Sequence, residues 1–382
     1  AERRHILERT GDEHVLIVPG AADATERRER AVVHTVASPP VPGSPGYRLF
    51  VRSGRALDLL RAECPDVVAV HCAYNLPWAA FRHRRRRPCA VVGFFHTDLP
   101  AAYVEPPAAR LFGARAGRAL RRGAERYLRA LYARCDAVVA TTPEMAARLG
   151  EIGVRGVELV PLGVDLDTFH PSRRDPEIRR RFGVGEGGLL LVYAGRLDRE
   201  KRPHFLLDAF EQLGPGFPAT LVLVGAGPQR DALAARGRAI GRVHVLPFEH
   251  DRDRLAALLA SADVYVSAMA HETFGLAVVE AQACGLPVVG VRAGAMVDRV
   301  VPGTGFLADP DSPADMARIL AGTPAGAWRG MGRAARAHAE AGFSWARTFD
   351  RLLALYRETA ARAARERAGP PGAARTAAGV RG

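Results

Sequence analysis

The stretch Leu189-Leu190-Leu191-Val192-Tyr193-Ala194-Gly195-Arg196-Leu197-Asp198-Arg199-Glu200-Lys201 decides the fold. A strand with one wet face alternates apolar and polar residues. The unbroken run Leu189–Ala194 is apolar on both faces, as in a parallel strand covered by helices on each side. A glycine turn at Gly195 and a helical pattern over His204–Gln212 complete a strand–turn–helix unit. The same unit recurs along the chain. His14–Pro19, Val67–His71, Ala90–Phe95, Ala137–Thr141 and Val157–Pro161 read as strands in the first half. Thr220–Gly225, Val243–Leu246, Val264–Ala268 and Pro287–Val291 read so in the second. The pattern predicts an α/β chain of two Rossmann-like, doubly wound parallel-sheet domains facing a cleft, about five strands to a sheet.

A length of 382 residues fits two such domains. The boundaries expected are 1–163, 164–342, a C-terminal helix over 343–368 packing back on the first domain, and a disordered Gly/Pro/Ala/Arg tail over 369–382. The first domain reads as lacking its opening strand and Gly-rich loop. Arg3–Arg9 resembles the end of a helix stopped at Gly11, whereas a Rossmann unit opens on a strand and glycine turn. No apolar run approaches the roughly 18 residues of a membrane span. Cys64, Cys72, Cys89, Cys135 and Cys284 are odd in number and never spaced CxxC, which argues against a zinc site or disulfide framework and for a reducing cytoplasm. The net charge of +13 comes almost wholly from arginine: 53 of 54 basic residues are Arg and one, Lys201, is Lys. Coding bias explains the arginines. The lone lysine then marks a position that needs a compact point charge.

Loops that follow successive parallel strands meet at one sheet edge, where open α/β sheets bind ligands. Gly195, Arg196 and Lys201 form the first such loop, a flexible turn with two cations that suits a diphosphate. Gly225-Ala226-Gly227-Pro228 forms the second. It lacks the third glycine of a dinucleotide fingerprint, so nicotinamide and flavin are disfavoured; its glycines suit close passage of another ligand or the neighbouring loop. His271-Glu272-Thr273-Phe274-Gly275-Leu276-Ala277-Val278-Val279-Glu280 carries the third. Gly275 and Leu276 open a helix whose free N–H groups and positive end suit a phosphate. Glu272 and Glu280 flank it. Glu280 lies among Val278, Val279 and Ala281, where a charge is costly unless it binds something.

These residues resemble the retaining GT-B enzymes of glycosyltransferase family 4, which include bacterial mannosyl- and glucosyltransferases. The resemblance rests on Pro161-Leu162-Gly163-Val164-Asp165, Gly195-Arg196 with Lys201, Gly225-Ala226-Gly227-Pro228 and the Glu272…Glu280 pair, and spans about residues 10–360. It implies that Arg196 and Lys201 bind the diphosphate of a GDP- or UDP-linked sugar donor. Glu272 would take the sugar hydroxyls with Phe274 and Gly275, Glu280 the ribose, and Pro247 and Phe248 would lie by the base. It implies hexose transfer with retention, no cofactor and no metal. Asp165 and Asp167 mimic a metal-binding pair but read as loop-ordering residues.

In the first half, Phe94-Phe95-His96-Thr97-Asp98-Leu99-Pro100 resembles the segment of family members that glycosylate lipids or mannose-containing acceptors. It implies His96 beside the anomeric carbon and Asp98 as an acceptor contact; a histidine capping a strand end is the plain alternative. Arg110–Arg134 reads as one amphipathic basic helix, and Arg82–Arg87 as a second basic cluster. An anionic membrane surface or a solvated arginine-rich face accounts for both. No recognition motif for nucleic acid accompanies the charge. A nucleotide-sugar-binding subunit without activity and a GT-B sugar phosphorylase or epimerase are the competing functional readings.

Overall fold

The computed structural model describes Ile6, residues 10–41 and residues 48–368. The expected tail and, apart from Ile6, the opening helical turns lie outside these residues. The first half holds β1 (His14–Gly20), β2 (Ala24–Arg28), β3 (Ala31–Ala37), α1 (Ser53–Glu63), β4 (Val67–Val70), α2 (Leu76–Arg84), β5 (Ala90–Phe95), α3 (Glu105–Phe112), α4 (Ala114–Tyr132), β6 (Ala137–Ala140), α5 (Pro143–Glu151) and β7 (Val157–Leu159). Its strands form a three-stranded sheet, β1-β3-β2, and a four-stranded parallel sheet, β4-β5-β6-β7. This corrects the expectation of one parallel sheet of about five strands. The hairpin β2–β3 is antiparallel and was absent from the apolar pattern. Every residue of β2 is exposed, and β3 mixes His34 and Thr35 with valines, so neither carries a continuous hydrophobic signal.

The second half holds α6 (Pro176–Arg181), β8 (Leu189–Ala194), α7 (Pro203–Gln212), β9 (Ala219–Val224), α8 (Arg230–Ile240), β10 (Val243–Leu246), α9 (Arg252–Ser261), β11 (Val264–Val266), α10 (Leu276–Ala283), β12 (Val288–Val291), α11 (Met296–Arg299), β13 (Gly305–Ala308), α12 (Pro313–Gly322), α13 (Ala325–Gly342) and α14 (Trp345–Ala368). Six parallel strands run β10-β9-β8-β11-β12-β13. The additional edge strand β13, Gly-Phe-Leu-Ala, is fully buried only at Ala308 and was not among the expected strands. Along β8 the residues alternate between two cores. Leu190, Val192 and Ala194 enter one, and Leu189, Leu191 and Tyr193 the other. Each such Leu or Val contributes roughly 1.5–3 kcal/mol, which is why this strand is the centre of the sheet.

The chain crosses between the halves twice, and the crossings touch. Val164 N–H donates to Phe343 O at 2.7 Å. Gly163 packs so closely on Trp345 that a Cβ would sit 2.5 Å from its backbone. Asp165 accepts hydrogen bonds from the N–H groups of Asp167 and Thr168 and from the Thr168 hydroxyl, which orders the connection. Beyond the second crossing, Trp345, Phe349 and Leu352 of α14 pack on Val92, Phe94 and Val139 of the four-stranded sheet.

The segment expected as one basic helix, Arg110–Arg134, is two. Gly113, with φ +84° and ψ 161°, ends α3 and starts α4, and a π-helical turn, Pro100–Val104, precedes them. Helical backbone cannot continue through that conformation, which glycine tolerates because it has no Cβ.

Candidate active site

Strand order in the second sheet reverses between β8 and β11, and the loops that follow these two strands come together there. Two tyrosines fix the first loop. The Tyr265 hydroxyl donates to Ala194 O and the Tyr193 hydroxyl to Arg196 O, each at 2.9 Å. The second loop lies against the first. Leu197 N–H donates to Ala226 O at 2.9 Å, and Gln229 N–H to Leu197 O at 3.0 Å. A Cβ on Gly225 would sit 1.8 Å from Gly195 O, and one on Gly227 2.4 Å from Leu197 O. Of the two uses left open for these glycines, the structure supports close passage of the neighbouring loop.

Each cation in this corner meets carboxylates. The Arg196 guanidinium bridges Asp198 and Glu200, the latter at 2.6 Å. Lys201 Nζ donates to Glu272 Oε2 at 2.9 Å. Burial alone would raise the Glu272 carboxyl. The Lys201 charge and hydrogen bond, with the N–H groups of Gly275 and Phe274, outweigh burial and hold it below the ordinary carboxylate value. Glu280, four residues into α10 and buried, pairs with Arg252 at 2.8 Å. There burial wins over the arginine and the carboxyl is raised. Glu280 makes no direct bond to the Lys201–Glu272 pair, but Tyr265 lies in the field of both acids.

The Glu272 loop is held from behind. Ala295 N–H donates to Glu272 O at 2.7 Å, and Gly294 (φ +53°) passes so near that a Cβ would sit 2.7 Å from the same oxygen. Arg299 is buried between Phe274 and Phe343, 4.5 Å from each ring centre, and donates Nε to Phe274 O at 2.8 Å. Burial pushes its guanidinium down to about 10. At the far edge, Pro247 and Phe248 follow β10; the Phe248 ring is exposed and meets His250 edge-on at 4.8 Å.

The first domain reaches this corner at three points. Thr273 Oγ1 donates to His96 O at 2.6 Å, Thr141 Oγ1 to Thr273 O at 3.0 Å, and the Tyr103 hydroxyl to Glu200 Oε2 at 3.0 Å. His96 is thereby brought against the residue next to Glu272. Its ring is bonded to His71 at 2.8 Å, and burial lowers its imidazole. Asp98, expected at the acceptor, is instead committed to Arg148 Nε at 2.8 Å and to Ala101 N–H at 3.3 Å, a role in holding α5 against the turn before α3.

Leu111 and Phe112, at the α3–α4 corner, are 72% and 71% exposed. Arg110, Arg115, Arg118 and Arg122 are exposed around them, and Arg82, Arg85, Arg86 and Arg87 are exposed at the C-terminal end of α2. Among the described residues no helix is long and apolar enough to cross a membrane.

Residues 5–168 match Glycosyltransferase Family 4, and residues 188–322 match Glycosyl transferases group 1. A GDP-mannose-dependent alpha-(1-6)-phosphatidylinositol dimannoside mannosyltransferase of Mycobacterium tuberculosis (strain ATCC 25177 / H37Ra) is 34% identical over 349 residues, 90% of this chain and 87% of the relative. The chain belongs to glycosyltransferase family 4. A D-inositol 3-phosphate glycosyltransferase of Nocardiopsis dassonvillei is 37% identical over 249 residues, 59% of this chain and 57% of its own. Among solved structures, sucrose-phosphate synthase from Thermosynechococcus elongatus superimposes with a TM-score of 0.69 at 20% identity, over 92% of this chain and 100% of that one. Anabaena HepE in complex with UDP-glucose gives 0.68 at 20% identity, over 90% and 99%. This family 4 glycosyltransferase thus has the GT-B architecture of two Rossmann-like domains.

Of the residues read from the sequence, the structure brings Gly195, Arg196, Lys201, Glu272, Phe274, Gly275, Leu276 and His96 into one corner of the enzyme. The sequence reading missed Tyr193, Tyr265, Thr273, Gly294 and Arg299, which hold that corner in shape. The tyrosines were hidden inside apolar strands, where a hydroxyl leaves no pattern. Arg299 is one arginine among many.

Proposed function

We propose that this enzyme transfers a hexose from a nucleoside diphosphate sugar, with retention of anomeric configuration, to a lipid or glycan acceptor. Mannose from GDP-mannose is the donor favoured by the relative that covers most of the chain, whose name also gives a mannosylated phosphatidylinositol acceptor. One observation carries the reading: Arg196 and Lys201, each already matched to carboxylate oxygens, sit at the switch point of the donor-side sheet beside Glu272. Asp198 and Glu200 each take one arm of the guanidinium, the arms that would take a diphosphate, so donor binding exchanges one set of anionic oxygens for another. Lys201 then stabilises charge on the departing nucleoside diphosphate, and Glu272, freed from the lysine, accepts from the sugar hydroxyls. Glu280 accepts from the ribose in place of Arg252. His96 stands at the anomeric carbon, and Pro247 and Phe248 flank the base. No step calls for a metal or cofactor.

The exposed Leu111–Phe112 corner, ringed by arginines, suits docking on an anionic lipid surface, with the enzyme at the cytoplasmic face of the membrane. Replacing Lys201 with alanine lowers turnover of GDP-mannose by on the order of a hundredfold. Turnover at the wild-type rate in that variant overturns the assignment.

A further inference from the structure

His71 belongs to no site described above, yet it touches the ring assigned to the reacting centre. It follows β4 as His96 follows β5, and the parallel register that sets Val70 opposite Gly93 brings the two loops side by side. The His71 ring stacks on Phe94, centroids 4.2 Å apart and planes within 22°, and lies within 8° of parallel to the His96 ring. His71 Nδ1 and His96 Nε2 are 2.8 Å apart. Two imidazole nitrogens at that distance share one proton, so one ring donates and the other accepts. The His96 backbone is held independently by the Thr273 hydroxyl across the cleft at 2.6 Å.

We propose that His71 is a positioning residue for sugar transfer: its bond to Nε2 fixes the His96 ring in one orientation and, with one direction of the shared proton favoured, in one tautomer, leaving Nδ1 as the nitrogen presented to substrate. This rests on the reading of His96 given above. The bond made by one imidazole nitrogen sets the protonation of the other. A ring with both tautomers populated presents the wrong edge part of the time. The surroundings keep the pair neutral. Burial lowers His96, and burial, helped by the neighbouring His96 and His14, pushes His71 down to about 4, although one edge of His71 stays exposed.

His71→Phe keeps the stack on Phe94 and deletes the bond; His71→Asn restores a polar partner near Nδ1. GDP release from GDP-mannose is followed on phosphatidylinositol dimannoside vesicles. His71→Phe is expected to lower kcat about tenfold or more, the scale on which a misoriented imidazole loses function, with donor KM changed less than twofold, and His71→Asn to recover most of the loss. His71→Phe added to His96→Ala should cost nothing further. Long-range 1H–15N spectra of histidine-labelled protein should show one His96 tautomer in the unmodified chain and a mixture in His71→Phe. Wild-type kcat in His71→Phe beside an impaired His96→Ala overturns the role of His71 alone, as do additive losses or a tautomer mixture in the unmodified protein. Wild-type kcat in His96→Ala overturns the assignment of His96, and this role with it. A variant that fails to fold leaves the unmodified protein's spectrum to decide.

Discussion

Replacing Lys201 with methionine keeps the length and volume of the side chain and removes its charge, which isolates one electrostatic contact. Opposite unit charges 2.9 Å apart attract by about 6 kcal/mol at an effective dielectric near 20. Much of that offsets the cost of taking both groups out of water. The side chains keep 21% and 15% of their exposure, so solvent screens part of the remainder. The expected net cost is about 2–3 kcal/mol, below the 3–5 kcal/mol of fully buried pairs. Its pH dependence is the sharper test. In the native enzyme the Glu272 carboxyl lies below its unfolded value. It therefore contributes stability above the unfolded value, and the contribution is lost as pH falls through the folded one. Without Lys201, burial dominates and the folded value rises above the unfolded one. That stabilisation is present at low pH and lost as pH rises through the raised value. Wild type and variant thus differ most near pH 7 and converge as pH falls through the raised value of the variant and then the lowered value of the native enzyme. Urea unfolding at several pH values measures this directly. Lys201→Met/Glu272→Gln should recover most of the loss, because no buried charge is left unpaired. A pH-independent difference, or a double variant as unstable as the single one, refutes the reasoning.

Three further outcomes follow from the geometry. Gly294→Ala sets a Cβ 2.7–2.8 Å from the carbonyl oxygens of Glu272 and Ala270 at φ +53°; it should cost about 1–3 kcal/mol in urea unfolding and raise donor KM by shifting the Glu272 loop. Arg299→Ala removes the guanidinium from between Phe274 and Phe343 and deletes its bond to Phe274 O; thermal unfolding should show a loss of about 3 kcal/mol. Leu111→Ser with Phe112→Ser should leave thermal stability unchanged, because both side chains are exposed, while co-sedimentation with phosphatidylinositol vesicles falls severalfold.

Ten strands were legible in the sequence because each is a short, mainly apolar run, and β8, buried at every residue, is the clearest of them. What was hidden lies where that condition fails. Strand β2 is exposed along its whole length, so pairing rather than hydrophobicity holds it, and β13 is an edge strand buried fully only at Ala308. The break at Gly113 was hidden for another reason. Its neighbours on both sides keep the helical period, and the stop depends on one backbone angle.

The site divides along the same line. Lys201 stood out as the lone lysine in an arginine-rich chain, and Glu272 and Glu280 as acids beside an apolar helix. That Lys201 faces Glu272, while Glu280 faces Arg252, depends on which strands are neighbours. Strands β8 and β11 are separated in the chain by two strand–helix units, yet they lie side by side because the order reverses there. Composition flags a residue that departs from its background; only sheet order says what it meets. The His71–His96 contact makes the point in the first domain. His96 stood out by the resemblance of its segment and His71 did not, and their pairing comes wholly from β4 and β5 running parallel with Val70 opposite Gly93. A register shifted by one residue would turn one of the two rings to the opposite face of the sheet and break the bond. The chemistry assigned to His96 is therefore tied to strand pairing deep in the domain core.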